Sequence, residues 1–484
     1  MRARVVAALA VAALAAPVAA AAFANTEPLA AEEWYLDADR AWSFWPSEPQ
    51  LFTVRVAVVD SGIDGTHPDL VGRVVAAKSF VGGSPYVDEQ GHGTFVAGEI
   101  AANPANGIGI AGLAFNARLV VAKVVAADGT VPLQAEVAGI RWAVDQGARV
   151  INLSLGAVRD PLDRSLDAYS PLEQAAIDYA WSKGVVVVAA VGNGPESPAT
   201  PWRFADYPAA LPHVIGVSAV REDGSVPDYS NRDAVYNDLA APGDGIFSTI
   251  PVPLTARLPQ CAGRPYSDCG PADFRDAIGT SFAAPQVSAA AALLLGQDPE
   301  LRPEQVAYLL ERGADDANTT TGCGRCAAGR DALTGWGLLD VQGALSLLAS
   351  GPLPPPDRYE PNDDAGPWSH ALPPLPASIQ ATLDYWDDQN DVYRLLLRRG
   401  ERLYARLSPA QSARVSLALW PPGTQRVESL ASGLGPLAES HLAGGQSRLA
   451  YTAAETGVYY LQAKLVTRTR MPVVYRLAVS RRSP

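Results

Sequence analysis

The chain has 484 residues, enough for two or three domains, and 48% of them are hydrophobic, so a sizeable core is available. Its formal net charge of −13 disfavours nucleic acid and anionic membrane as partners and suits a protein that acts free in solution.

The N-terminus carries Arg2 and Arg4 followed by the apolar run VVAALAVAALAA, which is too short to cross a bilayer. Ala22-Phe23-Ala24 has the small-residue pattern of a cleavage site, so residues 1–24 read as a secretory signal and the mature chain is expected to begin at Asn25. An uncleaved anchor is the other reading of this stretch. Loss of both arginines makes the mature charge −15. No later stretch is long and apolar enough for a membrane span. The product is expected outside the cytoplasm, extracellular or periplasmic, as a monomer. Four cysteines, Cys261, Cys269, Cys323 and Cys326, allow three pairings. In an oxidising compartment Cys261–Cys269 is the favoured short loop, which leaves Cys323–Cys326; a four-thiolate zinc site is the alternative.

From about 54 to 220, short Val- and Ile-rich runs alternate with segments of helical spacing. VRVAVV (54–59), RLVVAKVV (118–125), RVINLSL (149–155) and VVVVAAV (185–191) predict buried parallel strands. HGTFVAGEIAA (92–102), LQAEVAGIRWAVDQG (133–147) and LEQAAIDYAWSKG (172–184) predict the helices between them. HVIGVSAV (213–220) extends the sheet, and a long alanine-rich helix begins near Ser281. This alternation implies an α/β fold, a doubly wound parallel sheet flanked by helices, over residues 25–350. GPLPPPD then marks a stiff proline linker at 351–356. Beyond it, DVYRLLL, RLYARL and GVYYLQAKL alternate in strand fashion between turn residues, so 357–484 reads as a small all-β sandwich or jelly roll.

Active groups in open α/β sheets gather beyond the carboxyl ends of the strands. Asp60 ends VRVAVVD, Ser154 ends VINLS, and Asn193 follows VVVVAAVG. His92 and Ser281 stand at helix starts, where unpaired N–H groups and partial positive charge favour an oxyanion. Each has an ordinary reading when taken alone. Asp60 is a turn acid, His92 a helix-start residue, Asn193 a turn residue with positive φ, and Ser281 a helix cap. Taken together, an acid, a base and a hydroxyl at one edge of the sheet are what serine acyl transfer needs. His92 titrates near neutrality and would be the base, Asp60 would orient it, and the Ser281 N–H with the Asn193 side chain would bind the oxyanion. The stretch around Ser281 is not G-x-S-x-G, which argues against an α/β-hydrolase elbow.

VAVVDSGIDGTHPDL (56–70), GHGTFVAG (91–98), VINLSLG (150–156), AAVGNG (189–194) and GTSFAAPQVSAAAALL (279–294) resemble the motifs of the subtilisin-like serine proteases, in the family's order and over roughly residues 30–348. The resemblance implies a secreted serine endopeptidase with Asp60, His92 and Ser281 as triad and Asn193 in the oxyanion hole. It implies that peptide substrates pair as an added strand with Gly129-Thr130-Val131 and Ser154-Leu155-Gly156. Leu133 and Leu155 become candidates for an apolar pocket upstream of the cut. Asp206, just before Tyr207-Pro208, falls near the base of the primary specificity pocket, where a carboxylate would select Lys or Arg; a surface acid paired with Arg203 is its other reading. No cofactor is needed for the chemistry. A structural calcium at Asp69 with the loop 106–110 is a family possibility, against an ordinary Gly/Asn loop. The stretch ahead of the first strand is too short for the long inhibitory segment of many members, and EEWYLDADRAW (32–42) looks like the start of the catalytic domain. DRYEPNDDA (357–365), DQNDVYRLLL (388–397) and ETGVYYLQAKL (455–465) resemble the pre-peptidase C-terminal domains of secreted bacterial proteases, with the acids expected as solvated turn residues and calcium binding as their other reading. From a different class, a catalytically inactive binding or scaffold protein could keep the same fold.

Overall fold

The structure is a computed structural model that describes residues 23–251, 253–254, 273–351, 353, 357–384, 388–424, 426–427, 435–443, 445–466 and 472–482. Most of the signal segment and the Cys261 and Cys269 pair lie outside the described residues. Cys323 and Cys326 are joined as a disulfide, which excludes them as zinc ligands.

Seven parallel strands form the central sheet: β1 (Val54–Asp60), β2 (Val74–Ser79), β3 (Ala117–Lys123), β4 (Val150–Leu153), β5 (Val186–Ala190), β6 (Val214–Val220) and β7 (Leu239–Pro242). Their spatial order is β2-β3-β1-β4-β5-β6-β7, and β8 (Asp244–Thr249) with β9 (Phe274–Ile278) forms a separate antiparallel pair. The chain leaves β1 toward β2 and β3 on one side, then crosses to β4 and onward on the other. The crevice between the ends of β1 and β4 is therefore the switch point at which such sheets place their sites.

Side chains alternate across a strand, so each strand feeds two cores. Val56 and Val58 of β1 join one cluster with α1 (Trp34–Ala38), α2 (His92–Ala101), α5 (Ala284–Gln297), α6 (Pro303–Gly313) and α7 (Val341–Ala349). Ala57 and Val59 join the other, with α3 (Leu133–Asp145) and α4 (Pro171–Ser182). The alanine-rich α5 is buried all along from Ala284 to Gly296, because small side chains let a helix lie close against the sheet. Trp34 donates to Gly245 O, and Tyr35 and Leu36 enter the first core, so 32–42 packs as part of this unit. Phe23, inside the predicted cleavage motif, packs against Trp42 and Phe115.

α3 and α4 bury one carboxylate each in their seam, Glu136 and Glu173. Burial first, and the Glu136 carboxylate second, push Glu173 up to about 9 from its ordinary 4.5. A carboxyl raised in this way holds its proton in the folded protein and loses it in the unfolded chain over that interval. Stability is therefore lost as the pH rises from 4.5 toward 9. Glu173→Gln should thus raise the melting temperature at pH 9 and leave it near wild type at pH 5. Thermal melts at the two pH values check this, and an equal shift at both would count against it.

The C-terminal part is a sandwich of two five-stranded sheets. One is β10-β12-β18-β14-β15 and the other β11-β19-β13-β17-β16. In chain order the strands are β10 (His370–Ala371), β11 (Ala377–Leu383), β12 (Asn390–Leu397), β13 (Arg402–Pro409), β14 (Val415–Trp420), β15 (Ala438–Glu439), β16 (His441–Ala443), β17 (Gln446–Thr452), β18 (Gly457–Leu465) and β19 (Val473–Arg482). Alternate residues such as Leu395 and Leu397 of β12 and Leu403, Ala405 and Leu407 of β13 fill its core. Trp368 reaches across to the α/β part, 4.8 Å from the His213 ring. The acids of this region are not all solvated turn residues: Asp364 and Asp391 are buried.

Candidate active site

Asp60 is the last residue of β1, buried at the switch point, and its carboxylate accepts from the Ser61 N–H at 2.7 Å. Both oxygens also face His92 Nδ1, at 2.9 and 3.0 Å. His92 is the first residue of α2. Only glycine can follow it, since a Cβ on Gly93 would lie 2.2 Å from Gly62 O and 3.2 Å from the Asp60 carboxylate. Burial works to lower the His92 pKa, but the Asp60 carboxylate, with help from Asp88 and Glu196, outweighs it, and the result lies above the ordinary 6.5.

Asp88 is the residue that sequence reasoning missed. It accepts from the N–H groups of Gly91 and Thr94 at 2.8 Å each and from the Thr94 hydroxyl at 2.7 Å. It therefore ties off the exposed donors where α2 begins. Ser61 Oγ bridges the same acid at 2.8 Å and accepts from the Gly93 N–H at 2.9 Å, joining the ends of β1 and α2. An acid four residues ahead of His92 in DEQGH was a capping signal open to reading. Lys123, ending β3 and buried, donates to Val87 O at 2.6 Å and pairs with Glu89, holding the segment that carries Asp88.

Ser281 lies in a 3-10 turn, Thr280–Phe282, one residue short of the helix proper; α5 starts at Ala284 with Pro285 in its first turn and no side-chain cap. Ser281 is thus not the helix cap, a correction that follows from proline suiting the first turn of a helix. Its hydroxyl donates to Ser154 O at 3.3 Å, and Ser154 Oγ donates back to Ser281 O at 2.6 Å. Asn152 Nδ2 in turn holds Ser154 Oγ at 2.8 Å, and Ser288 Oγ of α5 holds Asn152 Oδ1 at 2.8 Å. Phe282, next to Ser281, stacks obliquely on His92 with ring centres 5.3 Å apart. Ser281 Oγ and His92 share no hydrogen bond among the described residues; the hydroxyl is held by Ser154 O instead.

Asn193 Oδ1 accepts from the Thr280 N–H at 3.1 Å and the Thr280 hydroxyl at 3.2 Å, which leaves its amide NH₂ as the outward end. That NH₂ has one long contact, to Glu196 at 3.4 Å. Asn193 is extended, with φ −124°, and not a left-handed turn residue; Gly192 takes the positive φ of 96°.

Gly129 and Thr130 are exposed and Val131 half-buried, in a turn after β3 whose Gly129 N–H bonds to Ala126 O at 2.9 Å. Ala126 N–H bonds to Thr130 O at 2.8 Å, and Asp128 holds the Thr130 N–H and hydroxyl. Ser154 is buried, Leu155 half-buried and Gly156 exposed. Leu133 opens α3, half-buried, and Leu155 packs against the second core.

Asp206 is 5% exposed, and its Oδ1 has no hydrogen-bond partner. It is not a surface acid paired with Arg203, whose guanidinium lies over the Phe204 ring instead. Its backbone N–H bonds to Val191 O, and Ala157 and Tyr207 exchange backbone hydrogen bonds beside it. The carboxylate sits under Gly192, where a Cβ would meet Asp206 Oδ2 at 2.0 Å, and near Gly156. Burial pushes Asp206 up to about 7, against a lowering pull from the Arg159 N–H and with a further push from Glu196.

The subtilase family model matches residues 53–337. The chain belongs to the subtilase family. This subtilase is 36% identical to fervidolysin of Fervidobacterium pennivorans over 350 residues, 68% of this chain and 45% of that one. It is 37% identical to thermitase of Thermoactinomyces vulgaris over 245 residues, 50% of this chain and 75% of that one. The match spans about half the length of fervidolysin and of the thermophilic serine proteinase of a Bacillus species, 45% and 52%. A protease structure from Pseudoalteromonas arctica shares the fold, with a TM-score of 0.52 at 24% identity over 66% of this chain and 98% of that one.

In this subtilase the loop near Asp69 is more than a plain turn. Asp69 is buried and accepts from Asn106 Nδ2 at 2.7 Å and the Ile110 N–H at 2.9 Å. Burial pushes it up to about 6, and the neighbouring Glu27 carboxylate adds to the push. Glu27 is itself buried, with Oε2 lacking any hydrogen-bond partner. An orphaned carboxylate oxygen beside a second carboxylate and a loop of backbone carbonyls fits a hard cation such as Ca²⁺.

Proposed function

We propose that this subtilase is a secreted serine endopeptidase that acts on protein or peptide substrates through Asp60, His92 and Ser281. The observation that carries the reading is the buried Asp60 carboxylate held by both oxygens to His92 Nδ1. That contact keeps a proton on Nδ1 and leaves Nε2 as the basic nitrogen. With substrate bound as an added strand between Gly129–Val131 and Ser154–Gly156, Ser281 Oγ leaves the Ser154 carbonyl and attacks the scissile carbon as His92 Nε2 takes its proton. The oxyanion forms beside the Ser281 N–H and the outward NH₂ of Asn193, whose oxygen is already committed to Thr280 and whose one other contact, to Glu196, is long. His92 then gives its proton to the leaving amine, the peptide bond breaks, and water hydrolyses the acyl-enzyme by the same route in reverse roles. Asp206, buried where the primary specificity pocket is expected, favours a Lys or Arg side chain before the cut. A structural Ca²⁺ would be held by Asp69, Glu27 and carbonyls of the loop 106–110; it would brace the fold and take no part in the acyl transfer.

A fluorophosphonate probe tests the reading. Incubation should add one phosphonyl group to the peptide carrying Ser281, and absence of labelling in folded, secreted protein would leave the inactive scaffold as the better account. The labelling rate should rise with pH as His92 loses its proton, with a midpoint above 6.5. A rate unchanged from about pH 5 to 8 would remove His92 as the base.

A further inference from the structure

The segment that opens the sandwich folds across the start of β12. Glu360, Asp363 and Asp388 thereby bring one carboxylate oxygen each within 4.8 Å of one another. Behind them stand two side chains with 0% exposure, Asn362 and Asp391. Asn362 Oδ1 and Glu360 Oε1 have no hydrogen-bond partner, and the Asn362 side chain lies beside the Asp391 carboxylate. The remaining contacts fix these groups in place. Asn362 O accepts from the Val392 N–H, and Asp391 Oδ2 accepts from the Tyr475 hydroxyl. Asp357 is already committed to the N–H groups of Tyr359 and Thr382, at 2.8 and 2.7 Å. The charges that act most strongly on Glu360 are the carboxylates of Asp363, Asp391 and Asp357, which add to its burial in pushing it up to about 10.

Buried oxygens without donors, beside like charges, are costly, and folded proteins rarely keep them without a partner. The donors here are all oxygens, which suits a hard cation. Oxygens that share one Ca²⁺ ion stand no farther apart than about twice a bond of ~2.4 Å, and these three meet that limit; the flexible, carboxylate-rich set suits Ca²⁺, whereas Mg²⁺ is held through few carboxylates and keeps most of its waters. We propose that Glu360, Asp363 and Asp388, backed by Asp391 and Asn362 Oδ1, form a Ca²⁺ site that ties the first turn of the sandwich to β12. The site is independent of the proteolytic chemistry and of the Asp69 loop.

The test uses the full chain stripped with EDTA and then titrated with CaCl₂ by calorimetry. Terbium emission sensitised by the buried Tyr359 beside the site gives a second readout. Wild type and Asp69→Ala should both show a binding event in the about 10⁻⁵–10⁻³ M range. Glu360→Gln/Asp363→Asn should weaken that event at least about tenfold and lose the terbium signal, because it removes two of the ligand charges. The double variant should still take the fluorophosphonate label, since it leaves Ser281 and His92 untouched. Should that variant not fold, Asp388→Asn alone should show the same loss of affinity. Calcium binding unchanged in these variants, or no binding by wild type at about 10 mM, would overturn the site.

Discussion

A Ser281→Ala variant should fold like wild type and cleave peptides about 10⁶-fold more slowly, the size of effect met when the nucleophile of subtilisin, a relative, is removed. The fold should survive because the hydroxyl makes one long hydrogen bond, 3.3 Å to Ser154 O, worth about 1 kcal/mol at most. The backbone around it is held by other groups, Ser154 Oγ on Ser281 O and Asn193 on Thr280. Activity should collapse because His92, oriented by Asp60, acts only through the proton it takes from that hydroxyl. Residual catalysis would come from the oxyanion donors and substrate binding alone. The checks are kcat on a peptide substrate, a melting curve and loss of fluorophosphonate labelling. A variant with more than about 1% of wild-type kcat and a normal melt would assign the nucleophile elsewhere.

The second large effect is expected at Asp206. Asp206→Gly should lower kcat/KM for substrates with Lys or Arg before the cut by about 10²–10³, while apolar residues at that position gain. Breaking one half of a buried ion pair leaves the substrate cation without its partner in a desolvated pocket, which is why the penalty is large. Asp206→Asn separates charge from shape: it should lose most of the basic preference without opening the pocket. A second signature follows from burial, which holds the unliganded carboxyl near 7. The deprotonated form attracts the cation, so the preference for basic over apolar substrates should strengthen as pH rises through that value and weaken below it. A cleavage profile over a peptide library that is the same in wild type and Asp206→Gly would sink the assignment. It would leave the triad reading intact.

The elements most legible in the sequence are those whose own residues carry the signal. β1, β3, β4, β5 and β6 are runs of Val, Ile and Ala buried on both faces, and such runs read as parallel strands wherever they occur. β2 and β7 went unread. β2 is half-exposed and mixes alanine, lysine and serine into its run, and β7 has four residues ending in proline. Asp60, His92, Asn193 and Ser281 were legible as candidates because each lies at the end of a strand or the start of a helix, and sheets of this type collect such ends on one side. Asp88 was less so, since its hydrogen-bond partners are backbone donors of the following helix and its charge acts on His92 across space.

Local pattern alone determined the alternation of strand and helix, the change to an all-β region after the proline linker, and the identities of an acid, a base, a hydroxyl and an amide at strand and helix ends. Those are short-range properties: a two- or 3.6-residue period and a helix's first turn are written in neighbouring residues. Only the tertiary structure decided that Ser281 precedes its helix in a separate turn. Only it decided that Asp206 is buried beneath Gly192, with no ion-pair partner among the described residues, and that Glu360, Asp363 and Asp388 meet near buried Asn362 and Asp391. Burial and the lack of a partner belong to groups far apart in the chain. The same aspartate is a solvated turn residue or a binding group according to what the rest of the fold packs around it.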